Sequence, residues 1–258
     1  MKKLSLYLIA GLASSLVISH PTQAATLGKN LIVNGDAEQG QGDPIGNAVG
    51  TDIPNIPGWN TTASFSVLKY GATGFTFTNP FGNVVGVTLP SVDVPGPSNR
   101  GKNLFFGGAD RASSSASQSI NVTNLASVID EGKAAFDLSG WLGGYATDRD
   151  NISLNITFLN QADQSLGTAS ISAPTPEERN NVTGLFFNST NGSVPIGTRQ
   201  INVVLNAVYA RGRVSDTYAD NLSLVITQVP EPEISGLSLL AVSSLIVWKS
   251  RNNRHIFH

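Results

Sequence analysis

In Asn151-Ile152-Ser153-Leu154-Asn155-Ile156-Thr157-Phe158 every second residue is apolar, and Ile201, Val203, Leu205, Ala207 and Tyr209 repeat the pattern. A period of two marks a strand with one face in a core and the other in water. Similar short runs, bounded by Gly, Pro, Asn, Ser or Thr, predict further strands. They fall at 30–34, 63–70, 75–78, 84–89, 103–107, 114–122, 134–142, 152–160, 167–172, 182–187, 199–209 and 218–227. Asn160-Gln161-Ala162-Asp163-Gln164 lies between two such runs and reads as a hairpin connection. No stretch sustains a helical period, and 128–133 has room for a single turn. The segments 38–57 and 91–102 are unpatterned and read as surface loops. About a dozen strands in some 200 residues predict an all-β sandwich of two sheets.

Both ends depart from this pattern. Lys2 and Lys3 precede an apolar segment at 4–18, and Thr22-Gln23-Ala24 places small residues where a leader is cut. This is the layout of a secretory signal peptide removed after Ala24, and 1–24 is therefore set apart from the fold. At the other end, Val229-Pro230-Glu231-Pro232-Glu233 stops any preceding strand and holds the chain extended. The 15 residues at 234–248 carry no charge, and Lys249-Ser250-Arg251-Asn252-Asn253-Arg254 follows as a basic stop. As a helix the apolar run is about 22 Å long against a hydrocarbon core of about 30 Å. Trp248 suits an interface, and Lys249 and Arg251 can snorkel across the difference. The expected division is a leader at 1–24, a body at 25–228 and a tail at 229–258 with one membrane helix.

Composition narrows the chemistry of the body. It has 16 Asp or Glu against 11 Lys or Arg, a net charge near −5, and no basic face for nucleic acid. The chain has no cysteine, which excludes disulfides and thiolate metal sites. Its histidines, His20, His255 and His258, all lie outside the body. Serine–histidine and cysteine–histidine catalysis and the usual zinc sites are thereby excluded, leaving carboxylate, Lys, Tyr or Arg chemistry.

The tail resembles the PEP-CTERM sorting signal of Gram-negative envelope proteins over 229–254, with Pro230, Glu231 and Pro232 as the named triplet. The resemblance implies processing by an exosortase-type membrane enzyme and a passing association with the inner membrane. Delivery to the cell surface or extracellular matrix would follow. The body has a resemblance of its own. Asn30-Leu31-Ile32-Val33-Asn34-Gly35-Asp36-Ala37-Glu38 and Tyr218-Ala219-Asp220-Asn221-Leu222-Ser223-Leu224 resemble the opening and closing segments of galactose-binding-like jelly rolls. That likeness implies a jelly-roll sandwich whose first and last segments meet, and a structural Ca²⁺ held by Glu38 and Asp220. Hard carboxylate and carbonyl oxygens suit such an ion. The alternative is that Glu38 and Asp220 only accept backbone hydrogen bonds at strand ends.

Sugar recognition needs an aromatic platform beside planar polar groups. Gly140-Trp141-Leu142-Gly143-Gly144-Tyr145-Ala146-Thr147-Asp148-Arg149-Asp150 is the richest such stretch. Within it Tyr145, Asp148, Arg149 and Asp150 are the expected exposed binding residues. Trp141, set in an apolar strand, and Trp59, after Pro57-Gly58, read as core. Asp148, Asp150, Asp216 and Asp220 supply carboxylates for a glycosidase, but nothing in the sequence pairs them. The expected function is that of an exported, non-catalytic, structural or adhesive protein among exopolysaccharide. A lectin-like carbohydrate-binding module is the alternative, and a carboxylate-based enzyme the third possibility.

Overall fold

The computed structural model describes residues 24–230. Residues 1–23 of the leader expected at 1–24 and everything from Glu231 onward, including Pro232 and the apolar run, lie outside the described residues; Pro230 is described and exposed. Among the described residues no helix is long and apolar enough to cross a membrane.

Twelve strands carry the fold: β1 Asn60–Thr62, β2 Ser66–Lys69, β3 Phe75–Thr78, β4 Val84–Val87, β5 Asn103–Gly108 and β6 Ser114–Asn121, then β7 Ala134–Gly144, β8 Asn151–Leu159, β9 Ser165–Ser172, β10 Gly184–Ser193, β11 Gln200–Val208 and β12 Ser215–Gln228. One five-stranded sheet has the order β1-β6-β11-β8-β9 and a second the order β10-β7-β12-β5-β2; β3 and β4 form a separate ribbon. Every ladder between these strands is antiparallel. From β5 onward the chain changes sheet at each connection except the β8–β9 hairpin, so the sheets are wound together rather than built one after the other. That hairpin closes as expected: Asn160 N–H donates to the Gln164 carbonyl at 3.0 Å, and Asp163 takes a positive φ of 57°. Among the described residues helix is confined to short turns, with α1 at Ala126–Asp130 overlapping the single turn expected at 128–133.

The period-two pattern does what it predicts. Ile152, Leu154, Ile156 and Phe158 on β8 and Ile201, Val203 and Leu205 on β11 point inward. They meet Phe136, Leu138 and Leu142 of β7 and Leu222, Leu224 and Ile226 of β12 in one apolar cluster between the sheets. Phe136 and Phe158 touch across it with ring centroids 5.2 Å apart. Each such buried side chain contributes about 1.5–3 kcal/mol relative to exposure. Trp59 is core as expected, edge-on to Phe105 at 5.4 Å.

A second apolar cluster lies on the opposite, outer face of the β12 sheet, around Leu68, Tyr70, Leu89, Leu104, Phe106, Leu185 and Tyr218. The 70–102 segment folds over that face and covers it.

The expected strand at 30–34 is not formed. Asn34 sits in the left-handed region at φ 52°, and the segment runs as turns with a single bridge, Asn30 to Val225. Its polar ends are the reason. The Asn30 side chain donates to the Leu222 carbonyl and accepts from the N–H groups of Ile32 and Leu224. Asn34 likewise bonds the Gln39 N–H and the Pro57 carbonyl. Gly35 then packs flat on β12, where a β-carbon would collide with the Leu222 carbonyl oxygen.

Candidate functional site

β12 carries an extra residue opposite β7. Asp220 pairs with Trp141 and Ser223 with Ser139, so three steps on β12 match two on β7. Asn221 absorbs the surplus at φ 49°. Such a bulge reverses the alternation of everything after it. Asp216, Tyr218 and Asp220 therefore face outward while Leu222, Leu224 and Ile226 face the core, although all six are even-numbered.

Two groups of side chains are built on the outward face. The first surrounds Trp141. β10 places Phe187 directly opposite Trp141, and the rings meet edge to face at 5.8 Å and 62°. Phe187 is 59% exposed and Trp141 half-buried. Beside Trp141 opens a shallow recess of about 460 Å³, lined by Asn30, Asn34, Asp36, Gln39, Asn99 and Asn221 among others. The Asn221 amide donates to Asn99 at 3.0 Å, joining the bulge to the 91–102 loop. Trp141 is thus core in part only, one side packed on the second apolar cluster and the rest exposed, and Phe187 was hidden in a run of three apolar residues with no alternation.

At the adjoining end of the recess, Asp220 is fully buried. It accepts from the Tyr70 hydroxyl at 2.7 Å and from the Asn221 N–H at 2.7 Å. Burial pushes its carboxyl up to about 7. Those two hydrogen bonds oppose the rise and the charges of Glu38 and Asp36 add to it. Burial and the Asp220 charge together raise the Tyr70 hydroxyl well above its ordinary value. Glu38 Oε1 accepts from the N–H groups of Lys102 at 2.8 Å and Asn103 at 2.7 Å, fastening the opening segment to β5. Glu38 thus makes the strand-end backbone bonds of the alternative stated above, whereas Asp220 lies within β12 and takes one backbone and one side-chain bond; the two acids share one neighbourhood.

The second group is the expected binding loop, and much of it is turned inward. Tyr145 is half-buried against the second apolar cluster. Asp150 is 4% exposed. It accepts from the N–H groups of Ala210 and Arg211 on one oxygen and of Asp216 on the other. Burial raises its carboxyl, against the pull of the Ala210 and Asp216 bonds. The buried Arg179 donates to the carbonyls of Val182, Tyr145 and Asp148, which fixes the loop's course. Of the four residues Arg149 alone is exposed, in a surface pair with Glu177 at 3.2 Å. Such a pair contributes little. Carboxylate oxygens of Asp148, Asp150 and Asp216 all lie within 4.8 Å of one another. Burial pushes Asp216 up to about 7, its bond from the Tyr218 hydroxyl at 3.0 Å opposing the rise and the Asp148 and Asp150 charges adding to it.

No family model matches the chain, and no curated protein does. Solved structures do resemble it. A family 16 carbohydrate-binding module is 16% identical, with 76% of this chain and 99% of that one covered and a TM-score of 0.41. The apo form of a cyclase from Fischerella sp. is 14% identical, with 78% and 97% covered and a TM-score of 0.48. The enzymatically active domain of tailspike protein 4 from bacteriophage CBA120 is 17% identical over 76% of this chain, with a TM-score of 0.43; the chain spans about a fifth of its length.

Asp216 makes stability depend on pH. In the unfolded chain an aspartate titrates near 3.9. Folded, Asp216 keeps its proton up to about 7. Its contribution is therefore complete below about pH 4 and is lost as pH rises through 7, by at most about 4 kcal/mol. Asp216→Asn retains an acceptor for Tyr218 and should flatten the fall in Tm between pH 5 and pH 8, with the variant melting above the parent at pH 8. Thermal denaturation at the two pH values checks this.

Proposed function

We propose that the body is a non-catalytic carbohydrate-binding module of jelly-roll type. Its site is the Trp141–Phe187 pair and the amide-lined recess beside it. The supporting observation is an aromatic surface left open on a sheet face whose other half is covered by a second apolar cluster. A pyranose ring can lie on such a surface, and the neighbouring Asn and Gln amides both donate to and accept from hydroxyls. Asp36 in the recess favours a neutral glycan over an anionic one. Binding through Tyr145 and the Asp148–Asp150 loop finds less support, because Asp150 is engaged in holding the fold and Arg149 alone of the four is exposed. The same use of Asp150 by three backbone N–H groups favours binding without hydrolysis.

A structural Ca²⁺ at Glu38 and Asp220 belongs to this proposal. Among the described residues neither carboxylate has an ion pair, although Asp220 is buried with Glu38 and Asp36 adding to its burden. A cation there would relieve that repulsion and tie the opening segment to β12. We also propose that the chain is exported by its leader and processed at Pro230-Glu231-Pro232 by an exosortase-type enzyme, placing the module on the cell surface or in an exopolysaccharide matrix.

Affinity electrophoresis on a panel of neutral polysaccharides should show retardation that Trp141→Ala and Phe187→Ala each weaken by about tenfold, some 1.4 kcal/mol. Tyr145→Ala and Arg149→Ala should have little effect. Retardation that follows Arg149 instead, or hydrolysis lost in Asp216→Asn, would contradict the assignment. Chelation should lower Tm in the parent and leave Glu38→Gln unaffected; equal melting with and without chelator would remove the ion. Intact-mass measurement of surface material should find the leader and 234–258 missing, and an uncut chain in the cytosol would refute export.

A further inference from the structure

The β3–β4 ribbon stands apart from both sheets. Among the described residues it pairs with no other strand, so each of its two outer edges is open. The turn at its tip, 79–83, is well tied. Asn79 N–H donates to the Asn83 carbonyl, Gly82 N–H donates to the Asn79 carbonyl, and the Asn79 side chain accepts from the N–H groups of Phe81 and Asn83. Phe75 and Val87 pack against the second apolar cluster, and the Arg213 guanidinium lies over Phe77 at 5.4 Å. The base of the ribbon is therefore fixed. Its tip is not covered: Phe81 is 88% exposed and Val84 71%.

The Asn79–Asn83 hydrogen bond sets the alternation of the ladder. Counting back from it, Phe77–Val85 and Phe75–Val87 are the hydrogen-bonded pairs. Thr76 and Thr78 on β3, and Val84 and Gly86 on β4, therefore aim their backbone N–H and C=O groups outward. Open edges of this kind are normally guarded by a lysine, an inward-pointing charge, a proline or a bulge. This ribbon has none of these. No residue from Tyr70 to Val92 is charged, and neither strand contains proline. β4 is the more open edge, with Val84, Val85 and Gly86 all exposed.

We infer that β4 is a self-association edge that pairs antiparallel with β4 of a second copy, giving a four-stranded intermolecular sheet. Bare backbone donors and acceptors at β-spacing are complementary to another strand. An antiparallel strand pair is two-fold symmetric, so one edge serves both copies. A second copy carries the same net negative charge, and the ribbon brings no carboxylate of its own to the contact, the Arg213 guanidinium over Phe77 being the charge that lies against it. Four residues per strand, with Phe81 and Val84 added, bury less than the roughly 1,200 Å² of a standard interface, and the contact is expected to be weak.

Because the chain has no cysteine, the edge can be read directly. Single substitutions Val84→Cys, Val85→Cys and Gly86→Cys, under mild oxidation at about 100 µM, should give disulfide-linked dimers for at least one of the three. Thr76→Cys on the opposite edge should give none. Sedimentation velocity should show a concentration-dependent dimer of both the full chain and residues 24–230, the span that closes both apolar clusters. Val84→Lys, which adds a guarding charge, and Gly86→Pro, which removes one outward N–H, should shift it to monomer by about tenfold or more. Unchanged far-ultraviolet circular dichroism and Tm would show that the variants fold. A parent that stays monomeric to about 1 mM overturns the inference, as do dimers indifferent to both variants or crosslinks equal at Thr76. A monomer that sediments with neutral lipid vesicles through Phe81 also overturns it, by giving the ribbon a different occupant.

Discussion

One surplus residue in β12 governs what the rest of the molecule can do. With Asn221 taking up the extra step, the strand presents apolar even-numbered residues to the core beyond the bulge and polar ones to the outer face before it. Without it, Asp216, Tyr218 and Asp220 would share a face with Leu222, Leu224 and Ile226. Either three side chains that bear Asp or Tyr oxygens would enter the main core, or three aliphatic ones would be left in water. An unpaired buried carboxylate costs several kcal/mol. The bulge avoids that cost, and it also supplies the Leu222 backbone groups that anchor Asn30 and Gly35. The opening segment is held in place because the last strand is irregular.

The same irregularity sets the chemistry of the outer face. β12 is a central strand there, so its outward Asp216 and Asp220 are surrounded by β5 and β7 and by the loops that cover them. Each carboxylate meets a tyrosine hydroxyl, Tyr218 for the one and Tyr70 for the other. Two acid–phenol pairs are held by hydrogen bonds of 2.7 and 3.0 Å, the Asp216 pair beside the carboxylates of Asp148 and Asp150. The arrangement suits a chain that has neither histidine in its body nor cysteine anywhere. Trp141, across from Asp220 on β7, packs on the second apolar cluster and on Phe187, and its exposed remainder is the surface proposed for a sugar ring.

Much of this scaffold was legible as alternation. β8 and β11 announce themselves by their period, and the β8–β9 hairpin by its turn residues. What could not be read depended on contacts between distant residues. The run Leu31-Ile32-Val33 looks like a strand, yet the asparagines at its ends bond to β12 and bend it into turns. Asp150 looks solvated in a glycine-flexed acidic loop, yet β12 and the 209–211 turn close on it from sixty residues away. Trp141 sits in an apolar run and looks like core; its exposure depends on how far the 70–102 segment reaches over the sheet, which no local pattern encodes. The bulge is hidden for the same reason: Asn221 is one asparagine in a chain rich in them. The resemblance to galactose-binding-like jelly rolls correctly anticipated that the first and last segments would meet, since it was carried by the two stretches that do.

The meeting of those segments has a mechanical consequence. The opening stretch runs antiparallel to the end of β12, with Gly28 bonded to Ile226 and Leu31 to Leu224, so residues 24 and 230 leave the body at the same pole. Tension applied between them would peel these bonds open singly, like a zip, instead of loading them together. A pull transmitted from residue 230 to the surface proposed at Trp141 would instead run along β12 as far as Asp220 and be shared with the strands beside it. The body is thus a soft clasp when stretched by its own ends and a stiff strut when held by one end and its cargo.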